Sequence, residues 1–169
     1  MKILVNAFLL VIIISCSSGK ENLTVGNKAP DFTLQDSKGN NYKLSDYIGK
    51  SPVIVYFYPK ANTPGCTKEA CGIRDNFSKF QETGIQVFGV STDSKSAIKE
   101  FISDYNLNFT LLSDENKEVS KIYGVLNDSG KASRVTFIVD KNGNLFQILN
   151  DVNVETHADQ VFEIAKKLL

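Results

Sequence analysis

The chain has 169 residues, 42% of them hydrophobic and 22% charged, which excludes a disordered tail, a collagen-like fibre and a small disulfide-stapled scaffold. Lys+Arg and Asp+Glu both total 19, and no basic stripe interrupts that balance, so the pattern of a nucleic-acid-binding protein is missing. One His cannot supply a multi-histidine metal site, and the three Cys divide into one plus two.

Met1 and Lys2 make a short positive start, and Ile3 to Ile14 is apolar except at Asn6. That length suits a signal-peptide core and is too short for a membrane-spanning helix. The run ends Ile13-Ile14-Ser15-Cys16, which resembles the bacterial lipoprotein box. The resemblance implies cleavage after residue 15 and diacylation of Cys16, and several acyl chains on one residue anchor a protein stably. Residues 16–24 then read as a lipidated Cys with a polar tether, and 25–169 as one folded domain. The implied location is a bacterial cell envelope, with the domain facing the periplasm or the exterior.

Asp31-Phe32-Thr33-Leu34 and Tyr42-Lys43-Leu44 flank a Gly-Asn-Asn turn and predict a hairpin. Ser45 or Asp46 is placed to cap a short helical turn. Val53 to Tyr58 is a β-prone apolar run between Pro52 and Pro59, as expected of a central strand buried on both faces. Ala70, Ile73, Phe77 and Phe80 recur at helical steps and predict one amphipathic helix stopping near Gly84. Val87 to Val90 reads as a second buried strand. Ala97, Ile98, Phe101, Ile102 and Tyr105 mark a second helix, with Asp93 or Ser94 as its cap. Residues 116–123 suggest a third, short helix ending at Gly124.

Arg134 to Val139 and Leu145 to Leu149 flank Asp140-Lys141-Asn142-Gly143, a hairpin signal because Asn-Gly accepts the positive φ of the turn. Val161, Phe162, Ile164, Ala165, Leu168 and Leu169 form one face of a C-terminal helix, and Thr156-x-x-Asp159 resembles its capping box. Strands alternating with helices, closed by a hairpin and a helix, predict an α/β thioredoxin-like fold with a central mixed sheet flanked by helices.

The residues suited to chemistry lie between the first central strand and its helix. Pro64 fits the first helical turn, where its missing N–H costs nothing, and this puts Cys66 in that turn. Unpaired amides and the positive end of the helix dipole there stabilise a thiolate, the nucleophilic form of Cys. Thr63, three residues earlier, is placed to hydrogen-bond the thiolate or a bound oxygen. Cys71 follows Cys66 by five residues, so on a regular helix their Cα atoms stand roughly 8.6 Å apart. A disulfide does not close beyond about 7 Å without backbone movement. Either the two thiols act independently, or they join only when the first helical turns unwind.

Pro59-x-x-x-Thr63-x-x-Cys66 resembles the active-site motif of the peroxiredoxins. The longer stretch from Tyr58 to Cys71 is similar to the Q-type, or bacterioferritin comigratory protein, subgroup. Ala61 departs from that pattern at a position often acidic. The resemblance runs from about Val25 to Leu169. It implies a thiol peroxidase acting on hydrogen peroxide or organic hydroperoxides. Cys66 would be the peroxidatic thiolate and Cys71 the resolving thiol that closes an intramolecular disulfide. A thioredoxin-like protein would then reduce that disulfide. The resemblance further implies that Thr63 binds the peroxide, that Pro59 shields the thiol, and that an Arg from a later strand, here Arg134, stabilises the reacting charges. Glu69 is placed either to orient Arg134 or simply to favour the helix dipole. No cofactor and no metal are expected.

The alternative is a thioredoxin-type thiol–disulfide oxidoreductase of the cell envelope. Its Cys-x-x-Cys spacing and its Pro before the later strand are both missing here. A copper-binding module would need a well-placed His, and His157 at the start of the last helix reads as a solvated or capping residue. Arg74, the only other Arg, is consistent with a surface position.

Overall fold

The computed structural model describes residues 23–169. The signal-peptide and Cys16 lipidation readings therefore lie outside the described residues. In chain order the elements are β1 (Thr33–Asp36), β2 (Asn41–Lys43), a 3-10 turn (Leu44–Tyr47), β3 (Val53–Phe57), α1 (Pro64–Asp75), α2 (Phe77–Thr83) and β4 (Gln86–Ser91). They continue with α3 (Lys95–Tyr105), β5 (Thr110–Ser113), α4 (Glu118–Ile122), β6 (Val135–Val139), β7 (Leu145–Leu149) and α5 (His157–Lys166).

The strands form one sheet in the order β2-β1-β5-β4-β3-β6-β7. β3–β4 and β4–β5 are parallel and the remaining neighbours antiparallel. β3 lies inside the sheet with every residue buried. Its period of two sends Ile54 and Tyr56 into one core and Val53, Val55 and Phe57 into the other. The first core is roofed by α1, α2, α3 and α5 through Ile73, Phe80, Ile98, Phe101 and Val161. The second is closed by α4, the 3-10 turn and the chain preceding β1 through Val119, Leu44 and Phe32. Leu23 already packs against this second core. The result is the expected thioredoxin-like α/β fold, with the central mixed sheet covered by helices on both faces.

The local expectations fail at three points. The helix expected from residue 64 to Gly84 is broken at Asn76. Its backbone N–H bonds Ile73 O at 3.2 Å, while its side-chain Nδ2 donates to Gly72 O at 2.9 Å, the carbonyl an α-helix would assign to that N–H. Neither Ser45 nor Asp46 caps the 3-10 turn; Asp31 Oδ1 takes the Ser45 N–H instead. Of the two caps expected for α3, Ser94 is the one that forms, its Oγ accepting from Ala97 N. The Thr156–Asp159 capping box does not form, because Thr156 makes no side-chain cap bond and Asp159 pairs with Lys79 at 3.2 Å. The β1–β2 hairpin does form, and it also docks antiparallel onto β5.

Candidate active site

β3 delivers the chain to the start of α1 through residues 58–63. Tyr58 N–H extends the β3–β4 ladder by donating to Val90 O. Ala61 N–H donates to Asp93 Oδ2 at 2.8 Å, and the same oxygen accepts from the Ser91 hydroxyl at 2.9 Å. Asn62 then turns through φ 56°, left-handed backbone that Asn tolerates better than most residues. Thr63 is the N-cap in extended conformation, and Pro64 occupies the first helical turn as expected. Thr63 O accepts from Thr67 N, and no helical carbonyl is available to the amides of Gly65 and Cys66.

Cys66 is 2% exposed and sits in the first turn of α1. Arg134, the residue before β6, donates from Nη2 to Cys66 Sγ at 3.2 Å. Its Nη1 pairs with Glu69, which lies one turn after Cys66 on the same helix face and is fully buried. Burial works against the Arg134 charge, but Glu69 and Cys66 outweigh it and raise its pKa further. Gly65 lies beside this approach, and a Cβ there would meet Nη2 at an ordinary contact distance of 3.4 Å. The structure thus brings Cys66, Arg134 and Glu69 together.

Among the described residues, none of the other expected residues hydrogen-bonds the sulfur. The Thr63 hydroxyl donates to Lys60 O at 2.9 Å, not to the thiol. Pro59 is half-buried in the loop. Cys71 is half-buried further along the unbroken α1, and both cysteines are free thiols. Arg74 is away from the site, tying α1 to the end of α3 through Tyr105 O at 2.6 Å.

His157 overturns the solvated or capping reading. It is fully buried, with Nδ1 3.0 Å from Glu69 Oε1 and Nε2 2.8 Å from Thr136 Oγ1. Thr136 lies inside β6, two residues beyond Arg134. The ring of Tyr56 meets the imidazole edge-on, centroids 5.8 Å apart. Burial, with Glu69 and Tyr58 adding to it, pushes the Tyr56 phenol well above its ordinary pKa, and Tyr58 is also raised by burial. Gly89 on β4 leaves space for the Tyr56 ring, since a Cβ there would lie 2.6 Å from it. His157 and Thr136 are the site residues that sequence reasoning missed.

Residues 25–148 match the model of the AhpC/TSA family. The chain is 43% identical over 149 residues to a chloroplastic peroxiredoxin Q of Sedum lineare, covering 86% of this chain and 80% of that protein. Among solved structures it resembles the peroxidoxin BcpB of Mycobacterium tuberculosis, with a TM-score of 0.80 and 31% identity over 87% of this chain and 99% of that one. It also resembles the Xanthomonas campestris bacterioferritin comigratory protein, studied for its alkyl peroxide reduction activity. That match has a TM-score of 0.75 and 29% identity over 80% of this chain and 90% of that one.

Proposed function

The chain belongs to the AhpC/TSA family as a peroxiredoxin of the Q or bacterioferritin comigratory kind, a thiol peroxidase, and on that premise we propose a two-cysteine cycle run by Cys66 and Cys71. The observation that carries the proposal is the 3.2 Å contact from Arg134 Nη2 to Cys66 Sγ at the start of α1. A guanidinium N–H and the helix N-terminus both favour negative charge on sulfur. The Cys66 thiolate attacks one peroxide oxygen; the S–O bond forms and the O–O bond breaks. The leaving oxygen departs as water or an alcohol, taking up a proton equivalent to the one lost when the thiol ionised. Cys66 is thereby oxidised by two electrons to a sulfenic acid and the peroxide is reduced by two.

In this cycle Thr63, whose hydroxyl proton is committed to Lys60 O, presents its oxygen lone pairs to the peroxide O–H. Arg134 stabilises charge on the departing oxygen, Glu69 orients Arg134, and Pro59 shields the thiol. Cys71 then condenses with the sulfenic acid, releasing water and forming the disulfide. On continuous α1 this requires the first turns to unwind. A thioredoxin-like dithiol supplies the two electrons that reopen the disulfide. Hydrogen peroxide and alkyl hydroperoxides are the substrate class, a choice supported by the activity studied in the Xanthomonas protein.

The test mixes reduced fragment 17–169 with one equivalent of hydrogen peroxide and follows peroxide and free thiols together. Loss of one peroxide and two thiols is expected, with a Cys66–Cys71 disulfide by mass spectrometry and no turnover in Cys66→Ser. Normal turnover in Cys66→Ser would sink the assignment. The sequence pattern Ile13-Ile14-Ser15-Cys16 supports a second part of the proposal, anchoring in a bacterial envelope through lipid on Cys16. Labelling expressing cells with a tagged fatty acid tests it: label is expected in the parent and must disappear in Cys16→Ala.

A further inference from the structure

We propose that His157 is a positioning residue of the peroxidase reaction, holding one oxygen of Glu69 so that the Arg134 fork stays divided between Glu69 and Cys66. This rests on Cys66 being the reacting thiol. Glu69 is a fully buried carboxylate with two oxygens to satisfy. Arg134 Nη1 pairs with Oε2, and His157 Nδ1 lies 3.0 Å from Oε1. That approach falls short of hydrogen-bond geometry, and neither atom has a hydrogen-bond partner elsewhere among the described residues. A proton must therefore lie between them, because two bare acceptors at that distance inside a core would repel. With the proton on Nδ1, Nε2 is left to accept from the Thr136 hydroxyl at 2.8 Å. Thr136 is fixed by its place in β6, paired in register with Tyr56 of β3. The groups facing the imidazole are thus Glu69 from α1, Thr136 from β6 and the Tyr56 ring from β3.

The consequence follows from guanidinium geometry. An Arg beside a carboxylate with two free oxygens prefers a bidentate grip, two parallel N–H bonds to one partner. Here the grip is divided, with one nitrogen on Glu69 and the other on Cys66 Sγ. His157 occupies the oxygen that would complete the bidentate pair. Without it the carboxylate is free to rotate onto both guanidinium nitrogens, drawing Nη2 away from the sulfur. The first residue of α5 therefore reaches the reacting atom through two intermediates, and the whole chain is closed to solvent except at Arg134.

The test uses the reduced full domain and three substitutions, reading the rate constant for peroxide consumption and the pH profile of Cys66 alkylation. His157→Leu removes both ring nitrogens. It is expected to slow peroxide consumption by about five- to tenfold, less than the roughly ten- to hundredfold expected when the Arg134 donor itself is lost. Its alkylation profile is expected to move to higher pH, while the KM for the reductant stays unchanged. His157→Asn places an amide N–H where Nδ1 was, and His157→Gln places one where Nε2 was. Asn is expected to retain at least about fivefold more rate than Gln and to restore the alkylation profile. A folded His157→Leu with parental rate and profile overturns the proposal. So does Gln equalling or exceeding Asn, a comparison that decides the matter even if His157→Leu does not fold. Turnover persisting in Cys66→Ser would instead overturn the reading beneath it, so the two failures are distinct.

Discussion

Replacing Arg134 by Met removes two interactions at once, and the structure separates their sizes. The donor to Cys66 Sγ at 3.2 Å is a charge-assisted bond to the reacting atom. Bonds of this kind contribute about 1.5–3 kcal/mol, equivalent to roughly a ten- to hundredfold loss in the rate constant for peroxide. The same substitution strips the positive partner from a carboxylate with no exposed surface. Breaking a buried pair from one side costs about 3–5 kcal/mol, and the lower end applies because His157 Nδ1 remains 3.0 Å from the Glu69 carboxylate. Arg134→Met should therefore lose about 3 kcal/mol in urea unfolding as well as rate. Adding Glu69→Gln removes the stranded charge, so the double variant should recover part of the stability and none of the rate. Stopped-flow peroxide consumption and urea denaturation of the reduced protein measure the two effects independently. The reasoning fails if Arg134→Met keeps its rate constant within about twofold of the parent. It also fails if the double variant is no more stable than the single one.

Cys71→Ser should consume one equivalent of peroxide at the parental rate and then stop, leaving a Cys66 sulfenic acid that a dimedone adduct reveals by mass; continued cycling with a dithiol protein reductant at the parental rate would refute its resolving role. Gly89→Ala should lower stability by about 1–3 kcal/mol in urea, because its Cβ would meet Leu111 at 2.5 Å and the Tyr56 ring at 2.6 Å. Asp93→Ala should leave the Ala61 N–H without its 2.8 Å acceptor and cost about 1–3 kcal/mol. Faster hydrogen exchange at Ala61 than in the parent is the direct check.

The elements that were legible in the sequence are those whose signal is local. The apolar run at Val53–Phe57 is the buried strand it predicts, and Pro64 marks the first turn that carries Cys66. Arg134 was legible because the motif resemblance asked for an Arg near the thiol, whereas Glu69 was left open between orienting Arg134 and favouring the helix dipole until the structure paired the two. Features decided by one competing side-chain bond were not legible, as at Asn76, where an amide captures the Gly72 carbonyl and ends α1. Docking of the β1–β2 hairpin onto β5 was also hidden, since it joins segments far apart in the chain. His157 did carry a signal. Steps of four and three connect it to Val161 and Ile164 on the apolar face of α5, so the helical period that found the face extends back to it. Composition drew attention away, because a single His near a helix start is usually solvated.

The site joins two requirements that oppose each other on one helix. The reduced thiol needs the intact first turn of α1, which supplies the amides at Cys66 and aligns it with Glu69 beneath Arg134. Closure onto Cys71 needs that same turn to come apart. On the proposed cycle, chemistry itself shifts the balance. Conversion of thiolate to a neutral sulfenic acid removes the negative charge that Arg134 faces at Sγ, while the buried Glu69 keeps its two partners. Besides the intrahelical backbone bonds, the segment before Glu69 is tied by the Thr63–Thr67 backbone bond and the exposed Lys68–Glu155 pair, which is weak in water. On the proposed cycle, residues 64–68 would be the part of α1 that oxidation loosens, with the buried Glu69 as the fixed end. An extended residue spans more than twice the rise of a helical one, so release of these few residues gives Cys66 the reach that regular helix geometry denies it.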